Sequence, residues 1–542
     1  MQPRGDTDKA DPDAIALVKE LDGLPLALST AGAYLEHVTT SFSDYLRLHK
    51  ASWLKLQATS PPLASYEDRS LYTTWQITLD QIEQENAASA KLLKLWAYFD
   101  RQDLWFELLR HGSSTDEEWM QVLTEDELSF NNAIRLLCNY GLVDPESSFP
   151  GIYRSGGYSI HSCVHSWTIF VLNKEWDQSL ARLALTCVAS KIPCTNMENW
   201  WLLQRRLLQH AIRQENFIME GKVNSEGLDW TLHTLGDLYK DQGNLAKAEA
   251  MYIRALQGKE EALGPKYTST LKTVNNLGLL YFDQGKLAKA EAMYIRALQG
   301  KEEVLGPKHT STLMTVNNLG LLYSDQDNTA DAKAMYIRAL QGREEVLGLK
   351  NTYTLQTVNN LGVLYRNQGK LADAEAMFKR ALQGYEEALG SKHTSTLDTV
   401  NNLGILYSKQ GKLAEAEAMS KRALQGREET LGLKHILTLD TVNNLGNLYK
   451  NQGKLAEAEA MYIRALQGYK DSLSPELLLS YLPALNTMFT FGDLFLQTGR
   501  KDMAREMYSQ ALYGYTTVQE PSSKWCRQLE DRLHTLEVES AE

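Results

Sequence analysis

The chain has 542 residues, 43% of them hydrophobic and 23% charged, with a formal net charge of −12 and a pI near 5.5. This is the balance of a water-soluble globular protein, and it excludes the broadly basic surface that neutralises nucleic-acid phosphates. The length is too great for one ordinary core and implies about three or four domains unless repeats extend it.

The opening "MQPRGDTDKADPD" is polar and lacks the apolar centre of a signal peptide. No run approaches about eighteen uninterrupted apolar residues, so no membrane span is expected. Cys138, Cys163, Cys187, Cys194 and Cys526 are odd in number and scattered, with no C-x-x-C pair. A reduced, cytoplasmic setting is the expectation.

The segment "DAIALVKELDGLPLALSTAGAYLEH" predicts a helix ending near Gly23 and a second opening at Pro25, a favourable first-turn position for proline. Next, "LYTTWQITLDQIEQENAASAKLLKLWAYFD" gives two helices with apolar stripes, and "FNNAIRLLCNYGLVD" a third that stops near Gly141. The glycine-rich "PGIYRSGGYSIHS" predicts a β-hairpin leading into "CVHSWTIFVL". Within "HSCVH", His161, Cys163 and His165 are metal-ligand types, but no second ligand pair stands at zinc-like spacing. No metal or other cofactor is expected.

"GLPLAL", Gly23 to Leu28, resembles the motif that ends the nucleotide-binding region of NB-ARC proteins, the signal-transducing ATPases of plant and fungal immunity. Helices followed by a small hairpin resemble the winged-helix domain that follows that region, and "YSIHSCVHSW" resembles its closing motif. The resemblance implies that Pro25 packs against adenine and that His161 senses the diphosphate of ADP. Ile160 and Ser162 stand where the family has Met and Asp. It also implies a helical remnant over residues 1–60, a winged-helix-like domain over 65–180 and a helical linker over 181–228. DNA binding by the candidate recognition helix is not expected, because Arg135 is its single cation.

A nucleotide switch needs a phosphate-cradling loop of the form G-x-x-x-x-G-K-[ST], and the chain has none. The nearest lookalike, "GLLYFDQGKL", has six residues between its glycines and Leu287 where Ser or Thr must meet magnesium. The chain thus resembles an NB-ARC protein without its ATPase core, and oligomerisation is expected only together with such a module.

From residue 229 the text repeats. Leu-Gly pairs place Gly236, Gly278, Gly320, Gly362, Gly404 and Gly446 at intervals of 42, with a looser copy at Gly492 after 46. In one unit, Val274, Leu277 and Tyr281, then Ala290, Tyr294, Ala297 and Leu298, recur at three- and four-residue steps. Each unit is therefore a helical hairpin, with Gly285 ending the first helix and Gly306-Pro307 closing the second. One hairpin cannot bury its own apolar stripes, so neighbours must stack. The fold class expected is all-α, an α-solenoid of seven hairpins over 229–515 and a C-terminal helix or tail over 516–542, preceded by the small helical, winged-helix-like region with its short β-hairpin.

The pattern L-G-x-x-Y, then Ala, then Tyr or Phe, then Ala-Leu resembles the tetratricopeptide repeat. The period of 42 and the phrase "TVNNLG" are similar to the long-helix variety of kinesin light chains and many fungal repeat proteins. The resemblance implies a right-handed superhelix whose concave groove is lined by the first helix of each hairpin. Five internal units carry an asparagine pair. The first member, Asn275, Asn317, Asn359, Asn401 or Asn443, is expected to face the groove, where an amide suits the backbone of an extended peptide. The second is expected inside the stack. One turn along lie Leu279, Leu321, Val363, Ile405 and then Asn447, which predicts a groove for a partly hydrophobic peptide. The lysine-asparagine clamp of some cochaperones is absent.

No nucleophile, base and orienter stand at a meaningful spacing, so no enzyme is expected. The preferred reading is a protein- or peptide-binding scaffold, the sensing half of a larger receptor of NB-ARC type. The alternatives are an ADP-binding switch that keeps Pro25 and His161 as contacts, and a kinesin-like cargo adaptor, which leaves "GLPLAL" and "YSIHSCVHSW" unexplained.

Overall fold

The computed structural model describes residues 11–20, 41–47, 71–110, 117–146, 156–194, 200–224, 226–473, 481–518 and 524–541, with a few single residues between these stretches. The chain divides into two compact units, Met1–Thr234 and Leu235–Glu542. Both are helical, and the described residues contain one two-stranded antiparallel sheet.

The first unit begins with α1 (Pro12–Glu20) and continues with α2 (Leu71–Glu85) and α3 (Ala87–Trp96). Asn86 separates the last two by turning extended, its side chain accepting the amides of Ala88 and Ser89. Then come α4 (Phe106–Leu109), α5 (Glu118–Thr124) and α6 (Glu127–Asn139), the last ending where Gly141 takes a φ of +65°. The hairpin pairs β1 (Val143–Glu146) with β2 (Gly157–Ile160), Val143 opposite Ile160. Its second strand lies in the glycine-rich segment as expected. Its first strand comes from the earlier "VDPE", where Pro145 interrupted the apolar alternation that would have announced it.

After the sheet come α7 (Ser162–Trp167), α8 (Gln178–Lys191) and α9 (Trp200–Met219). The stretch 181–228, expected as a linker, is instead part of this unit. Arg206 on α9 donates to both carboxylate oxygens of Asp103 at 2.7 and 2.7 Å, and His210 Nε2 meets the Asp103 carbonyl at 3.0 Å. Gln214 donates to the Tyr98 carbonyl at 2.7 Å. Trp96, Trp105 and Trp167 are fully buried, and the Arg206 guanidinium lies 3.9 Å from the centre of the Trp105 ring.

The second unit is built from hairpins: α10 (Asp229–Asp241), whose first residues precede the boundary at Leu235, with α11 (Leu245–Leu263), α12 (Thr268–Asp283) with α13 (Leu287–Leu305), and α14 (Thr310–Asp325) with α15 (Thr329–Leu347). Then follow α16 (Thr352–Asn367) with α17 (Leu371–Leu389), α18 (Thr394–Lys409) with α19 (Leu413–Leu431), α20 (Ile436–Asn451) with α21 (Leu455–Ser472), and α22 (Leu482–Gln497) with α23 (Lys501–Val518). Between first and second helix Gly285 has a φ of +72°, and Gly369, Gly411 and Gly453 stand in the same left-handed place; the third repeat puts Asp327 there, at +58°.

The glycine at this place in all seven repeats, preceded by Leu in six and by Phe491 in the last, is explained by the second helix. A Cβ on Gly320 would stand 2.8 Å from the ring of Tyr336, and Gly278 meets Tyr294 in the same way. In the fifth repeat the tyrosine position holds Ser420, whose hydroxyl is the nearest atom to a Cβ on Gly404. Gly320→Ala is therefore expected to lose about 1–3 kcal/mol to overpacking against a rigid ring, against about 1 kcal/mol regained in helix propensity. Gly404→Ala, facing a hydroxyl that can rotate away, should be near neutral. Urea midpoints of the two variants check the difference.

The array ends in α24 (Lys524–Ala541). Arg532 on it reaches Asp493 at 3.5 Å, with the same sequence separation as Asn276 to Asp237 (3.0 Å) between the first two repeats. Within the segment 516–542, expected as a helix or tail, α24 thus takes the place of an eighth first helix. Trp525 packs on Phe489 and stacks on Tyr515.

Candidate ligand-binding face of the repeat array

First helices of consecutive repeats approach one another more closely than second helices do, which puts the first helices on the inner side of the curve. Their inner stripe runs through positions spaced i, i+4, i+7, such as Lys272, Asn276 and Leu279 or Met314, Asn318 and Leu321. The second helices, outside, are tied to one another by ion pairs of Arg296 with Glu260, Arg338 with Glu302, Arg380 with Glu344, Arg422 with Glu386 and Arg464 with Glu428.

The asparagine pairs exchange the roles expected of them. Asn275, Asn317 and Asn401 are buried, at 2%, 3% and 9% exposure, and Asn359 and Asn443 are half-buried. The carbonyl of each first asparagine accepts from the next repeat: Asn318 reaches Asn275 (3.5 Å), Asn360 reaches Asn317 (3.3 Å), Asn402 reaches Asn359 (3.3 Å) and Asn444 reaches Asn401 (3.4 Å). Thr490 closes the series on Asn443 at 3.4 Å. The first asparagines are thus the bonds between layers, and the half-buried second asparagines stand nearer the inner surface. Helical face arithmetic does not separate adjacent positions once the neighbouring helix is close enough to cover one of them.

Leu279, Leu321, Val363 and Ile405 are all half-buried, and the first three touch the core with part of their surface. In the first, sixth and seventh repeats a polar residue stands at this place and takes the tyrosine of the second helix. Tyr252 donates to Asp237 at 2.5 Å, Tyr462 to Asn447 at 2.7 Å and Tyr508 to Asp493 at 2.7 Å. Opposite Leu279 the hydroxyl of Tyr294 is buried without a partner.

Beneath the first turn of each inner helix lies a column that sequence reading passed over: Lys259, Lys301, Arg343, Tyr385, Arg427 and Tyr469, all buried. Lys301 donates to Thr315 at 2.9 Å, Arg343 to Thr357 at 2.7 Å and Arg427 to Thr441. Arg427 is neutralised by Asp398, and Tyr469 donates to Asp440 at 2.5 Å. The readable signal was a second column 29 residues earlier, Lys272, Met314, Gln356, Asp398 and Asp440, in which an acid appears in only the last two places.

A cavity of about 450 Å³ opens between the C-terminal ends of α10, α12 and α14 and the C-terminal helices, with Asp241, Asp283 and Asp325 on one side and Tyr481, Tyr515 and Trp525 on the other. Burial pushes the Asp283 carboxyl up to about 6. A second cavity, of about 580 Å³, lies at the opposite, N-terminal ends of α12 and α14.

The tetratricopeptide repeat family model matches residues 227–302, 269–345, 353–429, 401–471 and 437–516, together more than half of the chain. The chain belongs to the tetratricopeptide repeat family. This tetratricopeptide repeat protein is 30% identical over 280 residues to a "Nucleotide-binding leucine-rich repeat (NLR)-like protein" of Hyaloscypha variabilis, a match covering 48% of this chain and 26% of that one. It spans about a quarter of that relative's length. A solved putative kinesin light chain of Podosopora anserina with nearly identical TPR-like repeats is 18% identical, covering 39% of this chain and 99% of that one at a TM-score of 0.32. A signal transduction ATPase with numerous domains and a tetratricopeptide repeat sensor, from Pyrococcus horikoshii, is 14% identical over 95% of this chain and 72% of that one, at a TM-score of 0.46.

Of the residues expected to touch nucleotide, Pro25 lies outside the described residues. His161 stands at the N-cap position of α7, its side chain turned instead to Asp144 on β1, with Nε2 2.8 Å from a carboxylate oxygen. His165 is turned into the core with Nε2 3.3 Å from the Trp96 carbonyl, and Cys163 is buried. Among the described residues no group of three or more His, Cys, Asp or Glu is placed to share a metal ion, and no helix is long and apolar enough to cross a membrane.

Proposed function

We propose that the repeat array is a non-enzymatic scaffold that holds an extended polypeptide along its inner face, as the ligand-sensing half of an NLR-like receptor. One observation carries the reading: the aliphatic row Leu279, Leu321, Val363 and Ile405 is left half-exposed beside the row of second asparagines across four consecutive repeats. An aliphatic row flanked by amides suits a chain that alternates apolar side chains with backbone in need of hydrogen bonds. The asparagines that face this ligand are Asn318 and Asn360, each with an amide oxygen besides the N–H group committed to the ladder, whereas the oxygen of Asn276 accepts from Asn275 and that of Asn402 from Arg366. The receptor context is supported by the name of the Hyaloscypha relative.

The test uses the sixth repeat as its own control, because Asn447 already occupies the aliphatic place there and accepts from Tyr462. In the variant Leu279→Asn, Leu321→Asn, Ile405→Asn the fold should persist. Peptides selected from a random display library on the wild-type full chain should bind this variant at least about tenfold more weakly, about 1.4 kcal/mol, by fluorescence anisotropy. Equal affinity with unchanged circular dichroism would contradict the reading.

A further inference from the structure

The cavity of about 580 Å³ is walled by the first turns of α12 (Thr268, Ser269) and α14 (Thr310, Ser311), by Lys272 and Met314 of the inner stripe, and by Arg343. Arg343 is 1% exposed. Its Nη1 donates to the Tyr353 carbonyl (2.6 Å), the Thr357 hydroxyl (2.7 Å) and the Gln356 amide oxygen (3.5 Å), while among the described residues neither Nη2 nor Nε meets a hydrogen-bond acceptor and no carboxylate pairs with the guanidinium. Its homologue two repeats on, Arg427, is neutralised by Asp398. The residue in the place of Asp398 is Met314, so a buried cation has been left without its internal counter-charge at the wall of a cavity.

A buried, uncompensated charge is costly, and the cost falls when a counter-ion enters. The surroundings all favour the same sign. Two sixteen-residue helices present their N-termini to the cavity, with amides and dipole directed at whatever fills it. The first has no side-chain cap on Tyr267, whereas its neighbour is capped by His309. Lys272 adds a second cation, and Lys301, buried one layer away, is held down to about 8 by burial and by Lys272. Burial likewise holds the Arg343 guanidinium down to about 10.

We propose that this cavity is an oxyanion pocket, in which the free edge of Arg343, the ammonium of Lys272 and the first turns of α12 and α14 bind a phosphate or carboxylate group. A fork of guanidinium N–H groups fits either anion in two-point fashion. Because the pocket lies at the N-terminal edge of the same stripe as Asn276 and Leu279, it would give a bound polypeptide an acidic or phosphorylated anchor. Binding of a free anion does not depend on capture of a polypeptide, so the two readings fail separately.

The experiment titrates the full chain by calorimetry and thermal shift with inorganic phosphate and with acetate, against chloride at equal ionic strength. Saturable binding of one or both anions is expected. Tighter phosphate assigns the pocket to phosphate monoesters, and tighter acetate to carboxylates. Met314→Asp copies the Asp398 arrangement, so it should raise the melting temperature without ligand and weaken anion binding at least about tenfold. Arg343→Lys copies Lys301, keeps the bond to the threonine, and should weaken it too. No binding beyond chloride, or binding that both variants leave unchanged, overturns the proposal.

Discussion

Asp103→Ala is expected to cost the first unit about 3–5 kcal/mol, the loss seen when one member of a buried ion pair is removed and the other stays. Arg206 is held by both oxygens of Asp103 and lies 3.9 Å from the centre of the Trp105 ring, so Asp103→Ala removes the two-point partner of a buried cation. Asp103 also carries a φ of +54°, which Asp and Asn tolerate better than other residues with a Cβ. A Cβ on Gly157 would come within van der Waals overlap of its carboxylate, so the loop has no room to rearrange. Asp103→Asn keeps the backbone preference and one acceptor, and should lose clearly less. Urea unfolding followed by tryptophan fluorescence, which Trp96, Trp105 and Trp167 report from this unit, checks both. Equal, small losses would show that α9 is held by packing alone.

Acid should unfold the same unit early. Burial holds the His165 imidazole down to about 3, against an ordinary value near 6.5. The sign follows from the depressed value: above pH 6.5 the ring is neutral in both states and contributes nothing. Below it the unfolded chain takes a proton that the folded chain refuses. Stability is therefore lost as pH falls from about 6.5 to about 3, at about 1.4 kcal/mol per pH unit, or about 2 kcal/mol by pH 5. Burial also lowers His210, whose Nδ1 accepts from the Asp100 amide at 3.1 Å, and the two losses add. In the array Asp283 and Asp440 are pushed up to about 6 by burial, a shift of opposite sign that offsets the depressed His435. His165→Gln should flatten the pH dependence of the first transition between pH 6 and 4, measured by unfolding at a series of pH values. An unchanged slope would place the titration elsewhere.

What could be read from sequence follows the range of the interactions that decide it. The hairpins were legible because a repeat states its own period, and Gly285 and Gly306 mark each end by a conformation few residues adopt. Gly141 was legible for the same local reason. The first strand of the sheet was not, because Val143–Glu146 is defined by its partner and not by its own alternation. The roles within each asparagine pair were inverted because burial of Asn275 depends on a helix 40 residues away, through Thr315 and Asn318. Integration of 181–228 into the first unit rests on Arg206 meeting Asp103 across 103 residues, which no local pattern records. The buried cations were visible as a column, but their meaning depends on a second column that only packing brings beside them.

The central claim is that the inner stripe of the array, rather than its outer helices, holds a polypeptide. It is tested most directly by photo-crosslinking a selected peptide carrying a benzophenone side chain to the full chain and mapping the adducts by mass spectrometry. The account predicts adducts on α12, α14, α16 and α18, centred on Asn318, Leu321, Val363 and Ile405. Adducts confined to the outer helices α13, α15, α17 and α19, or to the first unit, would contradict it.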